Sequence, residues 1–179
     1  MSHLSRYAVA CLLVYVLGPA AAWAEDVRAD KPIFGWLEKA IIMPVGVTVK
    51  VKLDSGALTS SMDARDIEII QREGKRWVRF VLHLEDTETG EEIYQELEQP
   101  LKRIVRIRGA GGEDRRPAVE LPVCIGGHVH IEEFTLRDRD NMLYPVLLGR
   151  KTISHLGLLD VTATYLNPPT CLALDRKSP

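Results

Sequence analysis

Over residues 45–53 the chain alternates strictly: Val47, Val49, Val51 and Leu53 fall on one side, Thr48, Lys50 and Lys52 on the other. A period of two places these groups on opposite faces of an extended strand, one face buried and one wet. The run ends in Asp54-Ser55-Gly56-Ala57, a turn signal. Alternation returns at 77–84 after Glu73-Gly74-Lys75, and further strands are read at 103–108, 119–125 and 129–136, the last two joined by the hairpin dipeptide Gly126-Gly127. Helical patterns compete in two places, 64–71 and 151–156, the second closed by Gly157. Several brief strands separated by turns predict a mostly β fold, a closed or sandwiched barrel with one or two short helices.

The ends of the chain read differently. Residues 1–24 carry one positive charge, Arg6, and no acid; an apolar run over 7–17 is followed by Gly18-Pro19 and then by Ala22-Trp23-Ala24. That is the pattern of a secretory signal peptide cut before Glu25. Its apolar run falls short of the roughly 20 residues that span a bilayer, so no stable membrane span is expected after cleavage. The expected organisation is a signal peptide at 1–24, a polar leader at 25–35, one β domain at 36–166 and a tail at 167–179, in an exported, periplasmic protein. Export removes Cys11 and leaves Cys124 and Cys171 in an oxidising compartment, either paired or as two separate buried thiols.

Composition narrows the partners. With 23 Lys+Arg against 25 Asp+Glu the chain has no basic excess, so nucleic acid is not expected. Charge is instead segregated along the sequence. Glu85, Asp86, Glu88, Glu91, Glu92, Glu96 and Glu98 precede Lys102, Arg103, Arg106, Arg108, Arg115 and Arg116. One reading is a long solvated hairpin whose acids and bases face water or each other. The other is a basic rim that attracts an acidic substrate.

A carboxylate at the end of an apolar strand, followed by a hydroxyl and a glycine, can be turned sharply into a shared, partly buried position. Asp54-Ser55-Gly56 fits this, although the tripeptide alone is a common turn. Two other segments give it context: the glycine-rich tip Gly109-Ala110-Gly111-Gly112, and Pro145-Val146-Leu147-Leu148-Gly149-Arg150 leading into the short helix. Together they resemble the retropepsin-like aspartic peptidases, in which Asp-Thr/Ser-Gly-Ala holds the catalytic aspartate and a later apolar-apolar-Gly-Arg segment precedes a helix. More closely, the stretch from Val51 to Ala64 is similar to the bacterial RimK-associated family often labelled "ATP-dependent zinc protease". Trp77-Val78-Arg79-Phe80, Arg116-Pro117 and Phe134-Thr135-Leu136-Arg137-Asp138-Arg139 match it too, and the resemblance covers most of 36–166.

The label is not matched by motifs. There is no His-Glu-x-x-His and no glycine-rich Lys-Ser/Thr phosphate loop. His83, His128, His130 and His155 are scattered; His128 and His130 share a strand face and could ligate a metal, but are read as solvent-facing hairpin residues. No metal, ATP or other cofactor is expected.

The resemblance implies hydrolysis of a peptide bond by two aspartates that share one proton. One carboxylate activates water and the other donates to the carbonyl oxygen. A single motif per chain then requires a homodimer with Asp54 from each subunit. Asp160 lacks the following Ser/Thr-Gly and is read as structural. In this scheme Ser55 holds the two loops together, Gly56 and Ala57 shape the turn, and Thr59 and Ser60 extend the network. Arg108, Gly109, Ala110, Gly111 and Gly112 form a flap, and Arg106, Arg115 and Arg116 meet an acidic, glutamyl-rich peptide or protein substrate. Arg150 is read as an ion-pair residue. The sequence departs from the commoner family form at Ser55, where Thr is usual, and at Leu58, where Arg is frequent. The competing expectation is a catalytically silent barrel that binds an envelope peptide or protein.

Overall fold

The strand pattern around Asp54 is set by its neighbours on both sides. The structure, a computed structural model, describes residues 31–109, 112–140 and 142–171. The signal-peptide reading therefore lies outside the described residues. In chain order the elements are β1 (Ile33–Ile42), β2 (Val47–Asp54), β3 (Ser60–Arg72), β4 (Lys75–Glu85), β5 (Glu92–Pro100), β6 (Arg103–Gly109), β7 (Gly112–Ile125), β8 (His128–Arg137), β9 (Val146–Gly149), α1 (Arg150–Leu156) and β10 (Leu158–Thr164). β1 takes in Ile33 to Gly35, which the sequence reading leaves in the leader; Phe34 is buried there and belongs to the core.

Six strands close a barrel in the order β1, β2, β9, β3, β8, β7 and back to β1. The closing seam is short, with Ile41 opposite Cys124 and Ile42 opposite Val123. β9 is the strand on which the site depends: it lies parallel to β2 and antiparallel to β3, wedged between the two strands that flank the Asp54 turn. Outside the barrel, β10 adds to β1 in parallel, β6 adds to β7, and β4 and β5 form a hairpin on the far half of β3. The alternation of β2 reappears as burial: Val47, Val49, Val51 and Leu53 face a core that includes Ile42, Met62, Phe80, Leu121, Phe134 and Leu148. Removing one of the buried rings, as in Phe134→Ala, would cost about 3–5 kcal/mol.

Two expectations are corrected. Residues 64–71 form part of β3, not a helix, so among the described residues α1 is the one helix. From Arg65 to Glu68 is three residues on β3 but only two on β4, from Val81 to Arg79, and Asp66 takes a left-handed φ of 49°. This bulge breaks the alternation and brings Ile67 and Ile70 to a helix-like spacing. The acidic and basic runs also do not face each other along one hairpin. Glu98 pairs with Arg72 and Arg79, and Glu88 with Lys39, while Lys102 pairs with Glu120 and Arg103 with Glu133.

The end of the described chain is tied down. Glu38 is fully buried, and its carboxylate accepts the backbone N–H groups of Gly35, Leu166 and Asn167. Cys124 on β7 is bonded to Cys171. Among the described residues no helix is long and apolar enough to cross a membrane.

Candidate functional site

Asp54 is the last residue of β2, opposite Gly149 of β9. Its Oδ1 accepts the Gly56 N–H at 2.9 Å and its Oδ2 accepts the Lys52 ammonium at 3.1 Å. Partial burial pushes the carboxyl up. The Lys52 hydrogen bond and charge, with the Gly56 and Ala57 N–H groups, outweigh this and hold Asp54 below the ordinary carboxylate range.

The turn after Asp54 is built from below by β9 and α1. Gly149 leaves no room for a side chain: a Cβ there would lie 2.6 Å from the Thr59 backbone. The first N–H groups of α1 find their acceptors in the turn, Arg150 donating to Ala57 O at 2.8 Å and Lys151 to Leu58 O at 3.2 Å. The Arg150 guanidinium donates to Ser55 O at 2.8 Å, so this residue, expected as an ion-pair residue, braces the loop through carbonyls and has no ion pair among the described residues. Ser55 and Gly56 are exposed at the tip, and Ala57 and Thr59 are half-buried.

A buried chain of hydroxyls continues beneath. Carboxylates only accept, which fixes the direction of every bond: Gly149 N–H donates to Ser60 Oγ, Ser60 to Thr152 Oγ1, and Thr152 to Glu132 Oε2, at 3.1, 2.9 and 2.6 Å. Thr135 Oγ1 donates to Ser60 O at 2.9 Å.

A cleft of about 430 Å³ runs between the loop and the stem of the β6–β7 hairpin, lined among others by Leu58, Ser61, Val105, Ile107, Arg116 and Arg139. The stem of the hairpin whose tip was expected as a flap thus faces the loop across the cleft. Gly109 and Gly112 face each other across its end, Gly112 with a left-handed φ of 106°. Arg108 belongs to β6, while Ala110 and Gly111 lie outside the described residues. Of the three arginines assigned to substrate, Arg116 lines the cleft and is held by Asp114 at 2.6 Å, and Arg106 reaches the rim, 3.8 Å from Glu113. Arg115 is exposed and does not line it. Asp160 accepts from its own turn, at Thr162 N and Oγ1.

Two cleft residues escape sequence reasoning. Arg139 is buried; its backbone N–H donates to Asp63 and its side chain to Tyr144 O. Burial lowers its pKa, partly opposed by Asp63 and Asp54. Ser61 Oγ is buried without a hydrogen-bond partner among the described residues. Both depend on long-range packing, and a lone Arg in a loop or a lone Ser in a strand gives no signal.

Two groups have metal-ligating atoms within 4.8 Å of one another: Asp63, His83 and Asp140, and His130, Glu132 and His155. In the first, the Arg65 guanidinium bonds Asp140 and His83 and supplies the positive charge itself. In the second, no Arg or Lys side chain among the described residues is hydrogen-bonded to the three ligands, although Lys151 lines the same pocket.

Comparison with known proteins agrees with this geometry. Residues 33–170 match the family model described as RimB-like, retropepsin-like aspartic endopeptidase RimB. The chain is 34% identical over 138 residues to a probable alpha-L-glutamate ligase of Shewanella halifaxensis, and 33% identical to that of Shewanella pealeana. In each case the match spans 76% of this chain and 30% of the relative, so it covers less than a third of those longer proteins. Among solved structures, Lpg0085 of Legionella pneumophila, a protein of unknown function (DUF785), is similar with a TM-score of 0.63 and 32% identity, over 75% of this chain and 96% of that one.

Proposed function

The chain belongs to the RimB-like family of retropepsin-like aspartic endopeptidases, and on that premise we propose that it is an exported aspartic endopeptidase working as a homodimer, with Asp54 of each subunit forming the catalytic pair. The observation that carries this reading is the Asp54 turn held between β2 and β3 by β9 and α1, at the mouth of a cleft roofed by the β6–β7 stem.

In the pair, two carboxylates about 3 Å apart cannot both ionise, so they share a proton and titrate as a unit. The ionised member takes a proton from water as that water attacks the peptide carbon. The protonated member donates to the carbonyl oxygen. The first member then passes its proton to the leaving nitrogen while a hydroxyl of the tetrahedral diol returns one to the second, which releases the amine and the carboxylic acid and restores the shared proton. The single chain is not ready for this, because Lys52 holds Asp54 ionised. Pairing has to displace that ammonium. The same contact favours a second reading for an isolated subunit, a barrel that binds peptide without cutting it.

For substrate we propose peptides rich in glutamate. Arg116 and Arg139 put two guanidinium groups in the cleft, and Ser61 offers a buried hydroxyl with no internal partner. Glutamate is also the amino acid named in the relatives' designation. The Cys124–Cys171 bond supports a location outside the cytosol, since such bonds persist in oxidising compartments.

The test combines sedimentation equilibrium from about pH 4 to 8 with cleavage of an unbiased peptide library. Expected are a dimer, cleavage strongest at acidic pH, and loss of cleavage in Asp54→Asn by a factor of about 10³ or more. Unchanged cleavage by Asp54→Asn ends the aspartic assignment; a monomer without cleavage at every pH moves the function to peptide binding.

A further inference from the structure

We propose that His130, Glu132 and His155 form a binding site for a divalent transition-metal ion, and that Zn²⁺ is the ion its donor set fits. The site is separate from Asp54 and does not rest on the peptidase reading.

The observation that points to a cation is the convergence of three ligand atoms. His155 Nδ1 lies 2.9 Å from the Lys151 carbonyl, which can only accept, so Nδ1 donates and Nε2 is the atom left for a ligand. Nε2 faces Glu132 Oε1, a carboxylate oxygen 2.6 Å away, the length of a charge-assisted hydrogen bond and the contact a metal ion would have to replace. His130 comes from the same strand face as Glu132, two residues earlier, and its ring centroid is 6.0 Å from that of His155. One ligand atom from each of the three lies within 4.8 Å of the others. On a tetrahedral zinc, ligand atoms about 2.0–2.1 Å from the metal are about 3.3 Å apart, so the pair that now touches has to open by less than about 1 Å.

The surroundings match a metal centre in two further respects. The Glu132 side chain is only 7% exposed, and its second oxygen already accepts the Thr152 hydroxyl, which fixes its orientation. The Nδ1–H of His155 held by a backbone carbonyl is the usual outer-shell support of a ligating imidazole. His155 itself is half exposed and gives the ion a way in. Two imidazoles and one carboxylate leave a fourth position for water, a set that suits zinc better than the oxygen-seeking Mg²⁺ or Ca²⁺. The ion would staple α1 to β8. Because Glu132 also receives the hydrogen-bond chain from Gly149 through Ser60 and Thr152, the same staple would stiffen the support beneath the Asp54 turn.

The test uses the untagged full chain, stripped with EDTA and titrated calorimetrically with Zn²⁺, with Co²⁺ absorption as a second readout of tetrahedral coordination. Expected is one equivalent bound, together with a rise in Tm of roughly 5–10 °C at a hundred times Kd. His155→Gln and His130→Ala should each weaken binding by more than the roughly 10–100-fold that losing an outer-shell partner costs. His128→Ala and His83→Ala should leave it unchanged. No stoichiometric binding by the wild type would overturn the proposal and assign the contact to a protonated His155. Binding that survives in both ligand variants, or that His83→Ala removes, would overturn it as well.

Discussion

Lys52 and Ser61 show at single-residue scale how the site is balanced. Asp54 has a folded pKa below its unfolded value, so its contribution to stability is complete above the unfolded value, about 3.9, and is lost as pH falls through the lower folded one. Lys52→Met should therefore raise the Asp54 pKa, read by carbon-13 NMR titration of its carboxyl. The variant should lose less than about 1 kcal/mol at neutral pH, since the pair is partly exposed, and that difference should vanish in acid. An unmoved Asp54 titration would mean that Lys52 does not hold the carboxylate in solution. Ser61→Ala removes a buried hydroxyl that no group among the described residues uses, so Tm should stay level or rise slightly. If that hydroxyl serves substrate, KM should rise several-fold in the same variant; a lower Tm with unchanged KM would give Ser61 a structural role instead.

At the scale of elements, β9 is only four residues long yet orders both sides of the Asp54 turn. Gly149→Ala forces a methyl into the Thr59 backbone, and chemical denaturation should show a loss of about 1–3 kcal/mol or more, with cleavage falling further than stability. An alanine variant of wild-type stability and activity would show that the loop has room to give. The same element explains what could be read in advance. The alternation of β2, the Asp-Ser-Gly turn and the Leu-Leu-Gly-Arg run are local patterns, and each marks a piece that the fold brings together. β3 was illegible because one extra residue at Asp66 disguises a strand as a helix. Ser61 and Arg139 were illegible for another reason: their meaning comes from a cleft whose walls are supplied by β3, β6, β7, β8, β9 and the loops after β2 and β8. The pairing of Glu132 with His155 spans 23 residues and two elements, so no spacing rule announces it.

For the molecule as a whole, the β1–β7 seam is closed by two residue pairs and reinforced by the Cys124–Cys171 bond beside it. Cys171→Ser should cost about 2–4 kcal/mol, and dithiothreitol should lower the Tm of the wild type but not of the variant. Equal Tm values for both proteins without reductant would mean that the bond adds nothing to the seam. The order of the strands has a consequence for when the protein can act. Leu53 pairs with Leu148 and Phe34 with Leu159, so the first strands find their partners among the last. A ribosome still holding the C-terminal third of the chain holds β9 and α1 with it, and the aspartate turn then has nothing to rest on. Whatever chemistry Asp54 performs is thereby withheld until β9 and α1 have left the ribosome and packed beneath the turn.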